Sequence, residues 1–148
     1  MMLPMSSQQT YLRIVVSPVS VSSATTDRFA PARATSNTTS VRLCATWNWP
    51  LLIAIWQIIP SIRAGNTVVI KPSEYTSIGT LELVRLIAEV LPAGVVNTVS
   101  GPGEVGAWLT SDPGIDKVMF TGSGPTGKKI AEAAAKNLVP ATLELGGN

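Results

Sequence analysis

The sequence predicts an α/β fold, a parallel sheet with helices on both faces, over residues 41–148. Three observations predict it. Short β-branched segments alternate with longer segments whose apolar residues recur at helical spacing. The strand-like segments are nearly continuous apolar runs, as strands covered on both faces require. The glycine-rich and charged motifs fall at the ends of those strands, where open parallel sheets bind ligands.

The first expected strand is Val41 to Thr46. Leu51 to Ala64 suits a largely apolar helix, with Pro60 expected to kink it and Gly65 to stop it. Thr67 to Lys71 is a β-branched strand ended by Pro72. Ser77 to Leu91 carries Ile78, Leu81, Val84, Ile87 and Leu91 at helical spacing. Val95 to Val99 is the next strand and Glu104 to Thr110 a short helix. Lys117 to Thr121 is a strand, Gly127 to Asn137 an alanine-rich helix, and Thr142 to Leu145 a last strand before Gly146 and Gly147.

The first 40 residues have a different character. All 12 glycines and all the lysines lie after Trp47, whereas residues 1–46 hold 15 Ser and Thr with Asp27 as their one acid. Only Arg13 to Val16 and Val19 to Val21 hint at strands. Such a stretch buries too little apolar area to offset its ordering entropy, so residues 1–40 are expected to be poorly ordered or a non-native extension. An Arg- and Ser-rich, acid-poor start also fits a mitochondrial transit peptide, but it lacks an amphipathic helix; a cytoplasmic chain is expected.

Composition excludes several functions. A net charge of +2 gives no electrostatic case for nucleic acid. With one cysteine, Cys44, and no histidine, the chain has no disulfide framework, no cysteine-based zinc site and no Ser-His-Asp triad. The longest apolar stretch, Leu51 to Ile62, is shorter than the about 20 residues a membrane span needs.

The residues that could carry chemistry sit at the strand ends. Lys71-Pro72-Ser73-Glu74 follows the second strand, where an acid in dinucleotide-binding folds hydrogen-bonds the adenosine ribose. Glu74 fits that role and would repel the extra phosphate of NADP, favouring NAD; both charges also fit a solvated loop. Phe120-Thr121-Gly122-Ser123 leads through Gly124 to Gly127 into a helix whose N-terminus offers N–H groups to a phosphate. This segment matches G-x-x-x-x-G-K, but Lys129 follows where a nucleotide-hydrolysing loop needs Ser or Thr for magnesium. Gly101 and Gly103, with Gly106, would let backbone approach a cofactor, or simply make a turn. Glu144 is a lone acid in an apolar strand end. Apolar surroundings there would suit a general base, and the Gly-Gly backbone could equally satisfy it. Asn48, between Trp47 and Trp49-Pro50, could donate to a developing oxyanion or fix a turn.

The ordered set is more specific than its parts. Trp-Asn-x-Pro at Trp47, Ala-Gly-Asn-Thr-Val-Val-x-Lys-Pro-Ser-Glu at Ala64, Leu-Pro-x-Gly-Val-x-Asn at Leu91, Phe-Thr-Gly-Ser-x-x-x-Gly at Phe120 and Leu-Glu-Leu-Gly-Gly at Leu143 together resemble the aldehyde dehydrogenase superfamily. The resemblance implies a Rossmann-like cofactor domain, so that residues 41–148 would be part of a dinucleotide-binding domain. It implies an oxidoreductase that turns an aldehyde into a carboxylic acid with NAD, NADP being less favoured. It gives Asn48 the oxyanion and Glu144 the general base. Lys71 and Glu74, within Lys71-Pro72-Ser73-Glu74, would hold the ribose. Trp49, Gly101, Gly103, Phe120, Thr121, Gly122, Ser123 and Gly127 would complete the cofactor site. The family's nucleophile is a cysteine downstream of the Glu-Leu-Gly-Gly motif, and Cys44 precedes Asn48, so the chain is expected to be a fragment without that thiol. Thr46 stands where the family usually has proline. An aldehyde substrate, a homo-oligomer or pairing with a full-length homologue are the partners implied. A non-catalytic NAD- or partner-binding piece, or a degenerate product, is the alternative.

Overall fold

The computed structural model describes residues 39–146. The strand hints before residue 39, the expected disorder there, and Gly147 and Asn148 lie outside the described residues. In chain order the elements are β1 Ser40–Cys44, α1 Pro50–Arg63, β2 Thr67–Lys71, α2 Ser77–Ile87 and β3 Val96–Thr98. Then follow α3 Gly103–Ser111, β4 Lys117–Ser123, α4 Gly124–Lys136 and β5 Ala141–Gly146. Every expected strand and helix of this region is present.

The five strands form one sheet in the order β3-β2-β1-β4-β5, and every neighbouring pair is parallel. This is the order of a dinucleotide-binding half-sheet, β3-β2-β1, extended by two strands, β4 and β5, on the far side. The chain first winds outward from β1 to β3, then returns to start β4 on the other side of β1. The switch point therefore lies between β1 and β4, where the connections leaving the two strands run to opposite faces of the sheet and leave a crevice.

Strand alternation divides the core in two. Val41, Leu43, Val68 and Ile70 face Ala54 and Ile58 of α1 and Val84 of α2. Cys44, Val118 and Phe120 face Leu109 of α3 and Ile130 of α4. Helices cover both faces, as the apolar strands demanded. Leu43, Ile58 and Ile70 are fully buried, each worth about 2 kcal/mol of apolar transfer.

Element ends depart from expectation for local reasons. Helix α1 runs through Pro60 and on to Arg63. Pro60 has no N–H, so the Trp56 carbonyl forgoes its helical partner while the helix continues. Gly65 follows with φ 80°, the left-handed stop a glycine supplies. Helix α2 ends at Ile87, not Leu91, because Pro92 disfavours helical backbone in the residue before it. Helix α4 starts at Gly124 rather than Gly127. Ser123 caps it, its Oγ accepting from Thr126 N–H at 3.4 Å, and Pro125 fits the first turn. The expected glycine loop from Gly122 to Gly127 is therefore the end of a strand joined directly to a helix.

Candidate functional site

A cleft of about 1340 Å³ opens at the carboxyl ends of β1, β2 and β4, between α3 and α4. The strand register builds its floor. Cys44 pairs with Lys71 on one side and with Phe120 on the other, so Lys71, Cys44 and Phe120 form a row across three strands. All three line the cleft.

Lys71 is 6% exposed. Its Nζ donates to the Pro72 carbonyl at 3.0 Å and to Glu74 Oε2 at 3.4 Å. A buried ammonium needs such partners, because an unpaired charge taken out of water is costly. Glu74 reaches back from the rim, its side chain 43% exposed. Its own backbone N–H holds the carboxyl below the usual carboxylate range, and the Lys71 charge adds to this. Gly106 of α3 faces the same lysine, since a Cβ there would lie 3.4 Å from Lys71 Cδ. The missing side chain gives room to the Lys71 stem.

Cys44 shares the floor but is not poised to react. Burial pushes its thiol up to about 11, against the opposing pull of Lys71. A thiol so protonated at neutral pH is a poor nucleophile.

At the β4 end the first turn of α4 faces the cleft. Pro125 has no N–H and the Thr126 N–H is spent on Ser123, which leaves the Thr126 hydroxyl as the donor of this turn that can face a ligand in the cleft. The Ser123 hydroxyl also contacts Thr126 Oγ1 at 3.0 Å. A Cβ at Gly122 would lie 3.0 Å from Phe120 Cε2, so this glycine makes room for the ring. At Gly127 a Cβ would come within 2.5 Å of Leu145 Cδ2; this glycine sets how closely α4 packs on β5.

Asn48 lies at the mouth of the cleft, before α1. Thr46 Oγ1 accepts from Asn48 N–H at 3.1 Å, and the Thr46 hydroxyl bonds Asn48 Oδ1. Both contacts spare the Nδ2 donors, which are the ones an oxyanion would use.

The cleft thus gathers Lys71, Ser73, Glu74, Gly103, Phe120, Thr121, Gly122, Ser123 and Asn48 on one wall system. Pro72 contributes its carbonyl from behind Lys71. Gly101, Gly127 and Trp49 do not line it; Trp47 does, while Trp49 precedes the first turn of α1. Glu144 stands elsewhere. It lines a second cavity of about 450 Å³ with Ile53, Trp56 and Gln57 of α1. Phe120 and Thr121 border both cavities, so the end of β4 divides them. The apolar burial expected for Glu144 is not found. Its residue is exposed, because β5 is the sheet's edge strand among the described residues.

Sequence reasoning passed over Thr126, Lys129 and Ala133, which line the cleft from α4. Their spacing of three, four and seven residues is one helical face. It became visible only once the helix start moved back to Gly124. Among the described residues no cluster of three or more Cys, Asp or Glu could hold a metal ion, and no helix is long and apolar enough to cross a membrane.

A model of the aldehyde dehydrogenase family matches residues 30–148. The chain belongs to that family. Over 102 residues it is 52% identical to fluoroacetaldehyde dehydrogenase of Streptantibioticus cattleyicolor, covering 68% of this chain and 20% of that protein. Over the same length it is 49% identical to the EPTC-inducible aldehyde dehydrogenase of Rhodococcus erythropolis, again covering 68% and 20%. Among solved structures, betaine aldehyde dehydrogenase of Staphylococcus aureus in complex with NAD+ superimposes with a TM-score of 0.72 at 40% identity. That match covers 74% of this chain and 22% of the other. The chain therefore spans about one fifth of the length of the curated aldehyde dehydrogenases it matches. The family match begins ten residues before the boundary expected at residue 40.

Proposed function

We propose that residues 41–148 are part of the dinucleotide-binding domain of an aldehyde dehydrogenase that oxidises an aldehyde to a carboxylic acid with NAD, and that residues 1–40 are an extension to it. The observation that carries this reading is the Lys71–Glu74 pair, 3.4 Å apart, on the wall of a cleft at the carboxyl ends of the sheet. The donor set fits a nicotinamide dinucleotide: an acid for ribose hydroxyls, a buried cation beside it, and a helix N-terminus facing the same space. The fold-level likeness to aldehyde dehydrogenases solved with NAD supports it. Such a cofactor, when bound, supplies the hydride acceptor.

The roles of this chain's residues follow from their chemistry. Lys71 and Glu74 hold the ribose, and the Glu74 carboxylate disfavours the extra phosphate of NADP. Ser123 and Thr126, on the first turn of α4 at the cleft wall, would hold the pyrophosphate. Asn48, held by Thr46, donates Nδ2 to the oxyanion that forms when a thiolate adds to an aldehyde. Glu144 takes the proton of the water that hydrolyses the thioester. Cys44, buried and protonated, is not the nucleophile. None of the described residues supplies that thiol. A cytoplasmic setting and an oligomer of full-length subunits accompany this reading.

Titration of the purified chain with NAD, followed through tryptophan fluorescence, tests it. Glu74→Ala should weaken NAD about tenfold or more, the value of a hydrogen bond to a charged group, and should narrow the preference for NAD over NADP. Unchanged affinity in that variant would remove Glu74 from the site.

A further inference from the structure

Among the described residues four buried side-chain atoms lack a hydrogen-bond partner, Arg42 Nε, Gln57 Oε1, Thr76 Oγ1 and Thr80 Oγ1, and of these residues Gln57 is the one that lines a cavity described above. Gln57 of α1 is 5% exposed. Its Nε2 donates to Thr121 Oγ1 at 3.2 Å, while its Oε1 is buried and has no hydrogen-bond partner among the described residues. A buried acceptor left dry costs roughly 1–3 kcal/mol, and folded proteins commonly satisfy such groups with ordered water.

The space for that water is present. Gln57 lines the second cavity, whose other polar groups are Thr121, Thr142 and Glu144. Its volume of about 450 Å³ far exceeds the ≈ 30 Å³ share of one water. The register of β4 against β5 sets Thr121 opposite Glu144. Gln57, Thr121 and Glu144 therefore run from the buried floor of the cavity to its exposed rim, against apolar walls of Ile53, Trp56 and Met119.

We propose that this cavity holds a water between Gln57 Oε1 and the Glu144 carboxylate, and that Gln57 is a positioning residue for it. The inference rests on the reading of Glu144 as the base. Water has two hydrogens to donate. One goes to Gln57 Oε1 and the other to Glu144, which turns the oxygen lone pairs toward the cavity mouth. In hydrolysis, that oxygen bonds to the acyl carbon of a thioester presented there, its proton passes to Glu144, and the C–S bond breaks to release a thiolate. Gln57 keeps its own hydrogens throughout and acts by orientation alone.

The test is water–protein cross-relaxation by NMR on the full 148-residue chain, read at the Thr121 and Met119 methyls and at Gln57 Nε2. Wild-type chain should show cross-peaks to a long-lived water. Gln57→Met keeps the shape, removes the acceptor and should abolish the methyl cross-peaks, while Glu144→Gln, which keeps an acceptor oxygen, should retain them. Absence of the cross-peaks in wild type, or their survival in Gln57→Met, overturns the proposal. If Gln57→Met does not fold, Glu144→Leu at the exposed rim removes the other end of the bridge and should abolish the same signals; their persistence is equally fatal. The readout involves no turnover. A bound water together with unimpaired thioester hydrolysis in a Glu144→Gln full-length enzyme would remove Glu144 as base and leave the water site standing.

Discussion

Cys44 and Lys71 are register partners on the cleft floor, and their chemistry is set by what lies around them. The thiol is pushed up to about 11 from an ordinary 9.0 because burial penalises the thiolate more than the Lys71 charge favours it. Below pH 9 the thiol is protonated in both folded and unfolded chains, so it adds nothing to pH dependence. Between about pH 9 and 11 the unfolded chain loses the proton while the folded chain keeps it, so stability must fall as pH rises. The full window is worth up to about 3 kcal/mol. Urea unfolding at pH 8 and pH 10.5 should show this loss in wild type and a shallower one in Cys44→Ala. An equal slope in both chains would show that other groups carry it. In the folded chain at pH 7.5, Cys44 should resist alkylation that is rapid after unfolding. The sequence showed a lone cysteine and a strand-end lysine. Their adjacency could not be read there, since the 26 intervening residues hold α1, its flanking turns and most of β2.

At the level of elements, the junction of β4 and α4 matters most to the site. A strand running into a helix without a loop puts Ser123 at the cap and Thr126, Lys129 and Ala133 on the cleft wall. Ser123→Ala removes the capping oxygen and should lower stability by about 1 kcal/mol. It should also weaken NAD, because the first turn of α4 frays and Thr126, held by Ser123 through its N–H and hydroxyl, loses its fixed position on the cleft wall. Chemical denaturation and NAD titration of the same variant measure both effects; a stability loss with unchanged affinity would take the cap out of the binding site. Strands β2 and β4 and the apolar helices were legible because periodicity and β-branching are local signals. The start of α4 was not, because Gly124-Pro125 reads as a turn unless the cap at Ser123 is recognised first.

The whole molecule presents an unusual helix. On α1, Ala54, Gln57, Ile58 and Ser61 face the core, yet Leu51, Ile55, Trp56 and Ile59 are exposed. A helix apolar on all sides is normally buried on all sides. With Trp47 and Trp49 also exposed, this face is expected to drive association of the purified chain. Light scattering across a concentration series should show growth in mass at micromolar chain. Ile55→Lys with Ile59→Lys, both outside the core, should hold the chain monomeric. A monomeric wild type over that range would contradict the expectation. The same face borders the cavity of Gln57 and Glu144 through Ile53 and Trp56, so the pair of charges also allows a check that this cavity is undisturbed.

By itself the sequence determined the alternation of strands and helices, a sheet covered on both faces, and which polar residues stand at strand ends. Those follow from backbone hydrogen-bonding geometry and apolar periodicity, which act over a few residues. Only the tertiary structure decided that Lys71, Cys44 and Phe120 share one floor, that Glu144 faces a second cavity with α1, and that Gln57 turns an unpaired acceptor into it. These depend on strand order, on register and on which helix covers which face. They are set by packing between segments tens of residues apart, and no local pattern encodes them.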